Sequence, residues 1–282
     1  MSVDRQYQHP GYAFLHCYGS LQSEADVLAY VEFLRTEAKL GAGVPTDLSK
    51  VYRHFGMPEP KRVPLDQDQQ GILLDSNRGL VLIRSEDSLA RQRFTEGHEL
   101  MEFLFDAQAD VGERLGSPRW LTEDYKEVLC DRGAAELLMP SGLFLQDLRD
   151  LGVEIGVGKQ LAGRYQTSLV ATLMRMVELC SSNCALMVWR QGTAGWDLWW
   201  SRVSGSWSGG FVPRDRGIEL VDLGAIGVVR KRMGIVPLVE QIIPATVETM
   251  LTNMGGWALC SIDRGDRQGL GLLLLEAAFG KG

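Results

Sequence analysis

The stretch "RFTEGHELMEF", residues 93–103, constrains the chain more than any other. Its apolar residues, Phe94, Leu100, Met101 and Phe103, recur at helical spacing. Residues four apart on a helix stand one above the other on the same face, so His98 and Glu102 can share one ion, with Glu99 beside them and reachable by a bound water. A metal centre needs a third protein ligand from a neighbouring element and an open position for water. Glu127, on the next long helical stretch, is the candidate. The same letters also fit a solvated charged face, and spacing alone leaves both readings open.

The surrounding chain reads as alternating helices and strands. "SEADVLAYVEFLRTEAKLG" is an amphipathic helix opened by Ser23 or Glu24, with Val27, Leu28, Val31 and Leu34 at helical spacing and Gly41 at its end. "VPTDLSKVYRHFGM" is a short helix with Thr46 or Asp47 near its start. "QGILLDSNRGLVLIR" is a hairpin, two apolar runs joined through Asp75 to Gly79. The metal-type helix is expected over "SEDSLARQRFTEGHELMEFLF", with Leu89 on its buried side, followed by a polar loop over "DAQADVGERLGSPRW". "LTEDYKEVLCDRGAAELLMP" is a second long helix stopped at Pro140, after which Ser141 can cap another. "KQLAGRYQTSLVATLMRMVEL" reads as helix, short turn, helix, with Thr167 or Ser168 as the second cap. Beyond Ser181 the period shifts toward strands, and six of the seven Trp lie there, which places a domain boundary near 181–183.

Composition narrows the class. At 282 residues, with 45% hydrophobic and 23% charged residues, the chain can bury a core without staples. A net charge of −7 argues against a general nucleic-acid or anionic-membrane binder. Lys159, Arg164 and Arg175 are too few to read bases, so direct DNA binding by the helix-turn-helix-like segment is disfavoured against a packed connector. "MSVDRQYQHPGY" lacks the apolar core of a signal peptide, and runs such as "LGLLLLEAAF" are too short to span a bilayer. Five scattered cysteines fit a reducing compartment, so a cytoplasmic, membrane-free location is expected, with Cys180 and Cys184 as packing thiols. His9, His16 and His54 read as ordinary surface or core histidines, and no residue is assigned to an organic cofactor.

Two separated segments resemble the ImmA/IrrE family of metallopeptidases. In that family an Arg-Phe-Thr run leads into a His-Glu-x-x-His helix, and the next long helix carries a ligand Glu and an "AAELLMP"-like ending. Here "RQRFTEGHELMEFLF" resembles the first and "EVLCDRGAAELLMPSGLF" the second, over about residues 20–180. Aligning "AAELLMP" puts the ligand glutamate on Glu127. The departure is Glu102, which stands where the pattern has its second histidine, and no histidine follows His98 to replace it. Cys130 and Gly133 also depart from the pattern and read as packing changes.

The resemblance implies an α+β protein with a zincin-like peptidase domain over 1–150, a helix-turn-helix-like connector over 151–181, and a C-terminal GAF-like mixed α/β sensory domain over 182–282. It implies metal ligands His98, Glu102 and Glu127, with Glu99 as catalytic base. The expected ion is divalent, zinc first, with manganese and iron also compatible with these donors. The implied activity is cleavage of an XRE-type helix-turn-helix repressor, which relieves repression in a stress response. Because carboxylates lower the Lewis acidity of a bound ion, Glu102 is expected to bind it but to underperform. The rival reading is a weakened or inactive peptidase fold that holds a protein partner and senses a ligand. In the C-terminal part, "GWDLWWSRVSGSW" could line a small-molecule pocket and "IPATVETMLTNM" could supply a GAF-type helix.

Overall fold

The computed structural model describes residues 6–115, 118–181, 184–192, 195–206, 218–220, 229–231, 257–263 and 270–277. They pack as two units, 1–143 with 162–168, and 144–161 with 169–282.

The first unit opens with α1 (Pro10–Tyr18), a helix not foreseen from the sequence. Pro10 sits in its first turn, where the missing N–H costs nothing, and the His9 side chain accepts a hydrogen bond from the Tyr12 N–H. The second helix, α2 (Ala25–Glu37), buries Val27, Tyr30, Val31 and Leu34, a stripe at i, i+3, i+4 and i+7. Leu28, expected on that stripe, is exposed; Tyr30 takes the place. The short α3 (Ser49–Phe55) starts where the Asp47 carboxylate accepts from the Ser49 N–H, and ends at Gly56 in the left-handed conformation.

A three-stranded sheet follows. β1 (Lys61–Val63) pairs parallel with β3 (Leu80–Arg84), and β2 (Gly71–Asp75) pairs antiparallel with β3 in the order β1-β3-β2. The hairpin expected over 70–84 is therefore present, closed by a one-turn 3-10 helix (Ser76–Arg78) and a left-handed Gly79. β2 is an edge strand.

Against this sheet lies α4 (Leu89–Leu115), longer than expected. The stretch assigned to a polar loop from Asp106 continues the helix to Leu115, because Ala107 and Gln108 are still buried and the Gln108 amide oxygen accepts from the Leu21 N–H. Leu100, Met101, Phe103, Leu104 and Ala107 are fully buried, whereas Leu89, expected inside, is exposed at the helix entrance. At the crossing of α1 and α4, Gly11 is packed so closely that a Cβ would lie 2.0 Å from the Phe103 carbonyl oxygen. Gly11→Ala is accordingly expected to destabilise the protein by about 1–3 kcal/mol or more, since backbone must move; a urea midpoint unchanged from wild type would refute that close approach.

Antiparallel to the site face of α4 runs α5 (Glu123–Leu138), capped by the Thr122 hydroxyl, which accepts from the Tyr125 N–H, and favoured by Glu123 and Asp124 in its first turn. The expected stop at Pro140 is present, and Ser141 then opens α6 (Ser141–Leu151) as its first helical residue. Small residues set the spacing of α4 and α5. A Cβ on Gly97 would sit 3.3 Å from the Ala134 Cβ, and one on Gly133 would lie 2.4 Å from the Met101 sulfur. Gly133 is thus a packing position, as read from the sequence.

Further along the chain, α7 (Ile155–Tyr165) and α8 (Leu169–Leu179) give the expected helix, turn and helix, though α7 begins ahead of Lys159. α8 packs on the first two strands of a six-stranded antiparallel sheet, β4 (Cys184–Gly192) and β5 (Gly195–Val203). The others are β6 (Ile218–Leu220), β7 (Val229–Lys231), β8 (Trp257–Asp263) and β9 (Leu270–Ala277), in the order β7-β6-β5-β4-β9-β8. Cys180 and Cys184 are buried, with sulfurs 3.0 Å apart. The helix expected over "IPATVETMLTNM" and residues 182–183 of the expected domain boundary lie outside the described residues. Among the described residues no helix is long and apolar enough to cross a membrane.

Candidate metal centre

The close crossing of α4 and α5 sets His98 near each of the other two donors chosen from the sequence. His98 Nε2 lies 3.8 Å from Glu102 Oε1 and 3.4 Å from Glu127 Oε2. Bonds of about 2.0–2.3 Å in a tetrahedral shell place neighbouring donor atoms about 3.3–3.8 Å apart. Each separation from Nε2 suits a small divalent ion, while the trio whose donor atoms all lie within 4.8 Å of one another is His98, Glu102 and Cys130, without Glu127. His98 and Glu102 are mostly covered, at 18% and 17% side-chain exposure, while Glu127 is 62% exposed and gives the centre an open side.

Three residues not assigned to the centre from the sequence complete it. On the far side of the imidazole, His98 Nδ1–H donates to Asp131 Oδ1 at 2.9 Å. That contact fixes the tautomer and aims Nε2 at the site, the arrangement that orients metal-binding histidines. Burial pulls the His98 pKa down, but the Asp131 hydrogen bond and charge outweigh it and the net direction is up. Asp131 lies four residues after Glu127, so the rule that paired His98 with Glu102 would also have found it.

Cys130, read from the sequence as a packing change, is also part of the centre. Its thiol donates to Glu102 Oε1 at 3.2 Å, and the donor atoms of His98, Glu102 and Cys130 all lie within 4.8 Å of one another. Burial, and then the neighbouring Glu102 carboxylate, push the thiol far above its usual range. Without an ion the thiol acts as a hydrogen-bond donor, but a thiol that coordinates a divalent ion is deprotonated by it, so Cys130 stands as a candidate donor beside His98 and Glu102. The third addition is Lys126, whose ammonium lies 2.8 Å from Glu102 Oε2, the oxygen turned away from His98.

Glu99 is nearly fully buried between α4 and the edge strand β2. The strand approaches so closely that a Cβ on Gly71 would lie 2.5 Å from Glu99 Oε1, and the Leu73 N–H donates to the carboxylate. Burial pushes the Glu99 pKa up from 4.5 to about 7; His98 opposes the rise, while Glu102 and Glu127 add to it. A carboxyl that titrates near neutrality is suited to taking and returning a proton. Next to Glu102 and Lys126, a cavity of about 550 Å³ opens between the β2 end of the hairpin and the C-terminal half of α4, with Leu73, Asp75, Phe105 and Leu121 among its walls.

Part of the chain matches a known family. Residues 59–177 match the Peptidase M78 family, described as the IrrE N-terminal-like domain, a span that contains α4, α5 and every residue of the centre. A radiation response metalloprotease, IrrE, from Deinococcus deserti is 30% identical over 145 residues. That match spans half of this chain and half of the relative's length. Among solved structures, a Mycobacterium tuberculosis transcriptional regulator is similar over 95% of this chain and 80% of its own, with a TM-score of 0.50 and 14% identity, a likeness of fold alone.

Proposed function

We propose that this chain, a member of the ImmA/IrrE family, is a metal-dependent endopeptidase whose ion is held by His98, Glu102 and Glu127 and whose catalytic base is Glu99. The observation that carries the reading is the placement of buried Glu99 beside His98, whose Nε2 lies 3.8 Å from Glu102 and 3.4 Å from Glu127. Such an ion, zinc being the first expectation, supplies an acidified water and a Lewis acid for a peptide carbonyl. Glu99 accepts the proton of the attacking water on its carboxylate and returns it to the leaving amine. Asp131 holds His98 in the tautomer that leaves Nε2 free. The cavity beside Glu102 receives one flank of the extended substrate, and β2, an edge strand, offers a side along which an extended peptide can lie.

The substrate proposed is a helix-turn-helix repressor cut once to relieve repression under stress, in keeping with the name of the Deinococcus relative as a radiation response metalloprotease. The three-part organisation, with a ligand-sensing GAF-like domain after the helical connector, belongs to the same proposal; the antiparallel sheet formed by β4 to β9 supports it. The reading is tested by incubating purified protein, loaded with zinc, manganese or iron in turn, with candidate repressors and following cleavage. Metal-loaded protein that leaves every repressor whole would favour the partner-holding reading instead. A further expected result concerns Asp131. Asp131→Ala should weaken zinc binding by about 10- to 100-fold, the usual cost of losing a histidine's orienting partner. Competition against a chromophoric chelator would measure it, and an unchanged affinity would remove Asp131 from the centre.

A further inference from the structure

We infer that Lys126 is a positioning residue that makes a carboxylate at 102 workable as a metal ligand, by holding Glu102 to one-oxygen binding and offsetting its charge; this rests on the metal-centre reading above. The two oxygens of Glu102 face different partners. Oε1 faces His98 Nε2 at 3.8 Å, and Oε2 is held by the Lys126 ammonium at 2.8 Å. A carboxylate free on both oxygens can chelate an ion with both, closing the position a water needs, and it places a full negative charge on the ion. With Oε2 engaged by an ammonium, only Oε1 is offered and part of its charge is withdrawn. Cys130 adds a second donor on Oε1, at 3.2 Å, which a ligated ion would displace.

The ion pair is more than a surface pairing. Lys126 is 23% exposed and Glu102 17% exposed, so the two charges are largely removed from water and each depends on the other. The remaining acidic partner of Lys126, Glu123, lies 3.9 Å away and is 93% exposed, so it cannot replace Glu102. The consequence is a coupling. Position 102 tolerates a carboxylate because position 126 is a lysine, and the lysine is tolerated beside a cation because position 102 is a carboxylate. An imidazole at 102, though itself a good zinc ligand, leaves the ammonium unpaired at the edge of a cationic centre.

The test is a four-protein cycle on the full chain: wild type, Glu102→His, Lys126→Met and the double variant, each titrated with zinc against a chromophoric chelator, with circular dichroism to confirm folding. Glu102→His is expected to weaken zinc binding by about 10- to 100-fold when Lys126 is present, and by no more than about threefold when Met stands at 126. Should Lys126→Met fail to fold, Lys126→Gln replaces it in both arms. An equal cost of Glu102→His in the two backgrounds would overturn the inference while leaving the metal centre standing. A folded wild type that takes up no zinc, manganese or iron would overturn the metal-centre reading and the inference with it.

Discussion

Glu99→Gln should abolish peptide cleavage while keeping the metal. Loss of a general base costs on the order of 100- to 10,000-fold, and the amide is close in size to the carboxyl, so it leaves the packing between α4 and β2 intact. It also keeps Glu99's acceptor for the Leu73 N–H, because the amide oxygen can take that role. A second readout does not depend on finding the substrate. The Glu99 pKa in the folded, metal-free protein is raised from 4.5 to about 7. The folded state therefore holds its proton more tightly than the unfolded chain does. That contribution to stability is fully present below about pH 4.5 and is lost as pH rises toward 7. Chelator-treated wild type should lose stability across this window relative to chelator-treated Glu99→Gln, which has nothing to titrate there. A bound cation beside the carboxyl lowers its pKa, so the acid limb of kcat/KM in the loaded wild type is expected at or below pH 7. Parallel denaturation curves for the two proteins from pH 4.5 to 7 would show that Glu99 is not a buried proton-holding group, and cleavage by Glu99→Gln at the wild-type rate would remove it as the base.

The parts of this site that were legible in the sequence are those set by one helix. His98, Glu99 and Glu102 share a helical face because of a fixed periodicity, and that face survives any tertiary arrangement. The hairpin was legible for a similar reason, since Asp75 to Gly79 dictate a local turn between two apolar runs. The parts that were missed depend on where two helices cross. Lys126 and Cys130 touch Glu102 only because Gly97 and Gly133 let α4 and α5 approach closely, and nothing in the local pattern of either helix states that distance. The length of α4 was missed through composition: Asp106 to Leu115 is polar enough to read as loop, yet buried Ala107 and Gln108 carry the helix on. The sequence implies that Glu102 weakens the ion it holds; the inference drawn from the Lys126 contact predicts instead that the carboxylate's charge is offset and that restoring a histidine alone disrupts the centre.

His98→Ala should strip the metal and leave the fold. Its side chain is the one donor that touches both of the others, at 3.8 Å and 3.4 Å, and it is also the link from the centre to Asp131. Without it, two carboxylates remain on separate helices, one of them largely in solvent and the other already neutralised by Lys126. Neither has reason to hold an ion tightly, so metal content after dialysis should fall from near one equivalent to a trace. The fold is expected to persist because the imidazole packs at the rim of the α4–α5 crossing, whereas stability rests on Leu100, Met101, Leu104, Leu129 and Leu137, all buried. Removing the histidine also relieves the three acidic groups around it of a positive partner, so a modest destabilisation at acid pH, where His98 is charged, is the direction to look for. His98 has a raised folded-state pKa, so its stabilising contribution is present below its unfolded value and fades as pH rises through the folded one. Elemental analysis and circular dichroism on the same preparation decide the matter. A His98→Ala protein that is folded and still carries a full equivalent of metal would mean that the ion sits elsewhere, and the ligand set of His98, Glu102 and Glu127 would have to be given up.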